Sequence, residues 1–159
     1  MSVRPPSDAV VALRSLPRRF RGLVAGLGDD ESPEALVQRP GADGSSALAH
    51  LVAATRGVAA AGRGLDAIQH GDAPIVDPVD LAPDGSTGSL DERLAELGWE
   101  TDAAADAVER VDAGAWSRTG QVAGGDSVTA LELVWQAVDA AVAHLKAAEQ
   151  ALDEARRAR

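Results

Sequence analysis

Residues 131–152 read LELVWQAVDAAVAHLKAAEQAL, and their apolar pattern carries the fold prediction. The large apolar residues recur at steps of three, four and seven, which places them on one face of a helix. These positions are Leu131, Trp135, Val138, Val142, Leu145 and Leu152. The pattern predicts a helix that starts at Asp126 or Ser127, ends near Arg157, and packs lengthwise with this seam in a shared core.

Three further helices are predicted, over about residues 8–26, 47–69 and 89–114. The third opens on Ser89 with Glu92 three positions later, a capping box in which each side chain satisfies a free backbone N–H. Pro17 lies inside the first and is expected to kink it or to split off its first turns.

The connection between the second and third helices sets the topology. Its 18 residues, 71–88, are rich in Pro, Asp and Gly and could reach about 60 Å when extended, whereas a helix of about 22 residues is roughly 33 Å long. The segment can therefore run the full length of the second helix, so that the third starts parallel to it. We predict a single all-α domain over residues 1–159, a four-helix bundle in up-down-down-up order.

Composition narrows the function classes. The formal net charge of -10 argues against nucleic acid as a partner, because phosphate contacts need a basic surface. The absence of cysteine excludes disulfides and thiolate metal ligands. No apolar run approaches the ~20 residues of a membrane span, so a cytoplasmic protein with no membrane partner is expected. The bias of 14 Arg to one Lys indicates a GC-rich coding sequence and suggests an actinobacterial source.

Three stretches carry a family resemblance. They are Ser45-Ser46-Ala47-Leu48-Ala49-His50-Leu51, Trp116-Ser117-Arg118-Thr119-Gly120, and Gly124-Gly125 followed by the long amphipathic run. Together they resemble the DinB-like bundles, which include the mycothiol-dependent maleylpyruvate isomerases. The resemblance implies the same four-helix topology, and a divalent metal held by one His at the start of helix two and two ligands four residues apart on helix four.

The resemblance implies an incomplete metal set in this chain. His50 matches the helix-two ligand, and Asp139 takes the first helix-four position, which leaves Ala143 at the second. His144 lies five residues from Asp139, so the two point roughly 140° apart. A register shifted by one would pair His144 with Ala140, which cannot ligate either. The alternative is that His50 is only hydrogen-bonded, His144 faces the surface, and no metal binds.

The loop between the third and fourth helices contains two more candidates. Trp116 and Arg118 could roof a pocket and bind a cofactor or steer an acidic substrate. Alternatively, Trp116 closes one end of the core while Arg118 bonds exposed carbonyls or Asp126. Trp99 and Trp135 are expected in the core.

Two functions remain open. The first is a metal-assisted transferase or isomerase that uses zinc or nickel and a low-molecular-weight thiol of the mycothiol type. The second is a non-catalytic bundle that binds a small molecule or dimerises after loss of the metal. The catalytic residues stay undefined. A homodimer through helix faces is expected because the second helix is rich in Ala and Gly.

Overall fold

The computed structural model describes residues 3–28, 31–85 and 88–158. Five α-helices lie in this part of the chain: α1 (Pro6–Ala25), α2 (Pro33–Gln38), α3 (Ala47–His70), α4 (Leu90–Glu109) and α5 (Ala130–Arg157). Three short strands, β1 (Ile75–Val76), β2 (Thr119–Val122) and β3 (Ser127–Thr129), and one 3₁₀ turn, Ala113–Ala115, complete the described elements. The protein is therefore mainly helical, and the all-α expectation holds apart from a small sheet.

The helix ends follow local capping chemistry. Ser46, Ser89 and Thr129 are the N-caps of α3, α4 and α5, and each side chain accepts a hydrogen bond from a backbone N–H three residues on. The capping box predicted at Ser89 and Glu92 is confirmed. A second box, Thr129 with Glu132, starts α5 three to four residues later than predicted. Helix α1 continues through Pro17 as a single element.

The contacts between helices fix their directions. Leu48 and Leu51 of α3 line one cavity with Leu90 and Leu94 of α4, and Gly62 lies beside Ala104 further along both. Helices α3 and α4 therefore run in the same direction. Helix α1 opposes α4, because Arg14 in its first half pairs with the end of α4, while Phe20 in its second half lines the cavity at the start of α4.

The long connection after α3 turns back along that helix. Val76 packs beside Gly64, and the carbonyl oxygen of Val79 lies where a Cβ on Gly57 would approach within 2.3 Å. Only a glycine at position 57 lets the connection come this close. The connection then brings the carbonyl of Leu81 to α5. This path along α3 is the one that the length of the segment predicts.

The sheet was not foreseen. Strand β2 pairs in parallel with β1, and antiparallel with β3 through a turn at Gly124, whose φ is +73°. The segment before α5 was predicted to be a loop, and the fourth helix was predicted to begin at Asp126 or Ser127. Residues 119–129 form a hairpin instead. The sheet closes the molecule at the end where α3 finishes, since Gly120 packs against Ile68.

The core face of α5 differs in part from the predicted seam. Val138, Leu145 and Leu152 are buried as expected, but Leu131, Trp135 and Val142 are only half-buried. The buried face is instead centred on small residues that allow close packing against the other helices. It consists of Ala130, Leu133, Val134, Ala137, Val138, Ala141, His144, Leu145, Ala148, Ala151, Leu152 and Ala155.

Candidate functional site

Two buried histidines face each other between α3 and α5. His50 lies one turn after the N-cap of α3, and His144 lies in the middle of α5; they are 5% and 9% exposed. Their Nδ1 atoms are 3.0 Å apart, and the ring centroids are 5.3 Å apart with the planes tilted by 43°. The expectation that His144 faces the surface is therefore wrong. Its ring lies against that of His50, because His144 is on the face of α5 that is buried.

Hydrogen bonding fixes the tautomer of His144. Its Nε2 lies 2.9 Å from the carbonyl oxygen of Leu81, which can only accept, so Nε2 carries a proton. Burial, followed by the neighbouring His50, lowers the pKa of His144. The ring is thus neutral at neutral pH, and its Nδ1 presents a lone pair that accepts the Nδ1–H of His50.

The other nitrogen of His50 faces a carboxylate. Its Nε2 is 3.4 Å from Oδ2 of Asp43, and this buried nitrogen has no hydrogen-bond partner among the described residues. The backbone N–H of Ser45, and to a lesser degree His50, lower the pKa of Asp43. The Asp43 side chain is 58% exposed. Asp43 therefore lies at the solvent-exposed end of a series of polar contacts that runs through His50 and His144 to the carbonyl of Leu81.

Asp139, the second predicted metal ligand, is engaged elsewhere. Both its oxygens accept hydrogen bonds of 2.8 Å from Arg4, and this pair holds the pKa of Asp139 below its usual value. Arg4 also stacks over the ring of Trp135 at 4.0 Å, and its carbonyl accepts the Trp135 indole N–H. Asp139 thus anchors the start of the chain on the exposed side of α5, and the structure does not bring it to His50.

Neither of the two predicted helix-four positions, Asp139 and Ala143, is buried. Ala143 is exposed, so it does not border the histidines as the predicted register required. Ala140 is half-buried and lies one turn before His144, about 40° away around the helix axis. In the alternative register, with Ala140 and His144 as the two positions, one residue is buried against His50 and the other is half-buried one turn away.

Trp116 and Arg118 occupy the opposite end of α3. Arg118 donates to the carbonyl of Gly71 at 2.5 Å, directly after α3. Since α3 rises about 1.5 Å per residue, His50 lies roughly 30 Å from that point. Trp116 is half-buried and packs on the core. These contacts match the interpretation that Trp116 closes the core and Arg118 bonds a carbonyl, and the pair does not share a site with His50.

A cleft borders the Leu81 segment. Its volume is about 470 Å³, and its walls carry charges of both signs from α3 and α4, with Thr55 and Leu81 among the lining residues. Arg56 and Arg63 stand on the α3 side, opposite Glu96 and Glu100 on α4. No sequence pattern had indicated this cleft, because its residues come together only when the two helices run in parallel.

No family model matches the chain, and no curated protein is significantly similar to it. None of the helices in the described residues is long and apolar enough to cross a membrane.

Proposed function

We propose that this protein is a DinB-like four-helix bundle in which α1, α3, α4 and α5 follow one another in up-down-down-up order. The parallel contacts of α3 with α4 and the antiparallel contacts of α1 with α4 support this order. The contacts of α3 with α5 also support this order. His50, near the start of α3, pairs with His144 in the middle of α5, and Leu48, at the start of α3, lines a cavity with Leu152, near the end of α5. Helix α2 and the three strands are additions at the two ends.

We propose that His50 and His144, rather than His50 and Asp139, hold a divalent ion such as zinc or nickel. The observation that carries the proposal is the convergence of two buried Nδ1 atoms from different helices. Two ligands at about 2.0–2.1 Å from zinc with tetrahedral geometry lie about 3.3 Å apart. The observed 3.0 Å therefore needs only a small opening of the pair.

The atoms around the two rings fit the same role. A metal-bound histidine usually donates its second N–H to a carboxylate or a backbone carbonyl, which fixes the ring orientation. The carbonyl of Leu81 already accepts from His144, and Asp43 faces Nε2 of His50. Moving the proton of His50 from Nδ1 to Nε2 would present both Nδ1 lone pairs inward and satisfy the buried nitrogen that now has no hydrogen bond.

The proposed activity is a thiol-dependent transfer or isomerisation on a small acidic molecule. A bound divalent ion supplies a Lewis acid that keeps a thiol sulfur as thiolate. The two histidines leave the remaining coordination positions to water and to the thiol. Arg56 and Arg63 line the cleft beside Leu81. They pair with Asp84 and Asp77 in the structure, and a carboxylate of the substrate would take the place of these partners, the role first considered for Arg118.

A non-catalytic binding bundle is the second candidate, and position 140 favours it. Alanine stands where a third ligand would face the histidines, and the described residues contain no cluster of three or more His, Asp, Glu or Cys side chains placed to hold a metal. Without metal, the histidine pair is a buried hydrogen bond that joins α3, α5 and the Leu81 segment. The cleft would then bind its ligand through Arg56 and Arg63, in competition with Asp84 and Asp77.

Calorimetric titration with zinc and with nickel tests the proposal. The wild-type protein should bind weakly, and binding should weaken as pH falls because a protonated imidazole nitrogen has no lone pair for the ion. Ala140→His should strengthen binding by about tenfold or more, worth about 1.4 kcal/mol or more, since it adds an imidazole one turn before His144.

The matched control is Ala143→His, which places the same side chain on the exposed face. Equal gains from both variants would refute the assigned register. An absence of binding by the wild type, with no gain from Ala140→His, would exclude the metal site and leave the non-catalytic bundle.

A further inference from the structure

The most exposed aromatic side chain in the described residues is Trp99, on the outer face of α4. It is 77% exposed, although it was expected in the core. Val11, on the neighbouring helix α1, is 70% exposed. Single exposed apolar residues are normal on a protein surface, but tryptophan is among the residues that most often dominate the binding energy of a protein–protein contact. The charges around Trp99 indicate which partner fits.

Two charged stripes run side by side on this surface. The α1 stripe is Val11, Arg14, Arg18 and Arg21, and the α4 stripe is Trp99, Asp102, Asp106 and Glu109. Steps of three and four residues keep each stripe on one face of its helix. One stripe is therefore basic and the other acidic, and each contains one exposed apolar residue.

Only part of this charge is used within the chain. Arg14 pairs with Asp106 at 3.0 Å and with Glu109 at 2.9 Å. In the part of the chain that the structure describes, Arg18, Arg21 and Asp102 have no ion-pair partner. The surface thus keeps unused cations on α1 beside an unused carboxylate and an indole on α4.

The pairing of Arg14 sets the levels of the two stripes. Because α1 and α4 are antiparallel, a step of four residues from Arg14 to Arg18 corresponds to the step from Asp106 back to Asp102. In the same way Arg21 lies at the level of Trp99. A two-fold axis parallel to these helices would place α1 of one copy over α4 of the other with the levels unchanged.

We propose that this surface is a homodimer interface between the α1 stripe of one copy and the α4 stripe of its partner. Arg18 meets Asp102 across the interface, and Arg21 lies over the indole of Trp99 as a cation–π contact. Each contact occurs twice, since a two-fold interface is self-complementary. A second copy fits better than an unrelated basic protein, because the cations that suit the acidic stripe stand beside it on the same chain. The Ala and Gly residues of α3, which first suggested a dimer, are largely packed inside the molecule.

Sedimentation or light scattering of the full chain tests the interface. Wild type should show twice the 16.3 kDa of the monomer at high micromolar concentration, and the dimer should weaken with added salt. Trp99→Ala should raise the dissociation constant about tenfold or more. Arg18→Glu and Asp102→Arg should each weaken the dimer, and both changes in one chain should restore it.

Lys146→Glu is the matched control, because it reverses an exposed cation outside both stripes. It should leave the mass unchanged. All these substitutions lie at exposed positions, and circular dichroism should show that each variant stays folded. A monomer mass for wild type throughout the concentration range overturns the proposal. The proposal is also overturned if Trp99→Ala leaves the dimer intact and the double variant Arg18→Glu, Asp102→Arg fails to restore it.

Discussion

Replacing the two histidines separately and together tests the hydrogen-bond chain at the centre of the molecule. In His144→Leu, the Nδ1–H of His50 loses its acceptor in a position that is 5% exposed. A buried polar group without a partner costs about 1–3 kcal/mol. The carbonyl of Leu81 also loses its donor, but Leu81 is half-buried, so water can partly replace it. We therefore expect a loss of about 1–3 kcal/mol in the free energy of unfolding.

His50→Leu should cost a similar amount, because it leaves the Nδ1 lone pair of His144 unpaired. The double variant removes both polar atoms and leaves only the Leu81 carbonyl without its donor. Its cost should therefore be about 1–2 kcal/mol smaller than the sum of the two single changes, as expected for side chains in direct contact. Urea unfolding at neutral pH in the presence of a chelator measures all three. Additivity within about 0.5 kcal/mol would refute the Nδ1–Nδ1 hydrogen bond.

Two further predictions concern the contacts that frame the site. Gly57→Ala should lower the melting temperature, because the new Cβ would lie 2.3 Å from the carbonyl oxygen of Val79. The control Gly62→Ala should leave the melting temperature unchanged or raise it, because its Cβ would make only an ordinary contact at 3.8 Å. Equal effects of the two substitutions would contradict the close approach at Gly57. Arg4→Ala should raise the pKa of Asp139 toward the usual ~3.9, measured by NMR titration. In the wild type the lowered pKa of Asp139 contributes stability at pH values above the pKa of the unfolded state, and this contribution is lost as the pH falls through the pKa of the folded state. If the pKa of Asp139 does not move in Arg4→Ala, the ion pair does not form in solution.

The helices could be predicted because their signals are local. Apolar periodicity and capping residues identify α1, α3, α4 and α5, and the length of the connection after α3 suffices to predict its path. The face of α5 was less well predicted, because the seam was read from large side chains. Ala137 and Ala141 are buried, yet alanine gives a weak periodic signal next to residues such as Trp135. The half-burial of Trp135 follows from its contact with Arg4, which lies far away in sequence.

The short elements left too little pattern to detect. Strands of two to four residues cannot establish an alternation, so the pairing of β1 with β2 depends on tertiary contact. A turn signal was nevertheless present at Gly124-Gly125, between two β-branched stretches. Ser32-Pro33 likewise marks the start of α2, since proline is favoured in the first turn.

The candidate site shows where counting residues along a helix reaches its limit. A shift of one position turns a helix by about 100°, which exchanges Asp139 on the exposed side for Ala140 beside the histidines. Sequence alone offers both registers, and the choice depends on the side of α5 that α3 covers. Asp139 forms its ion pair with Arg4 on the side of α5 that α3 does not cover. The same rotation brings His144 inward to His50 and leaves the half-buried Ala140 one turn before it on the same side of α5.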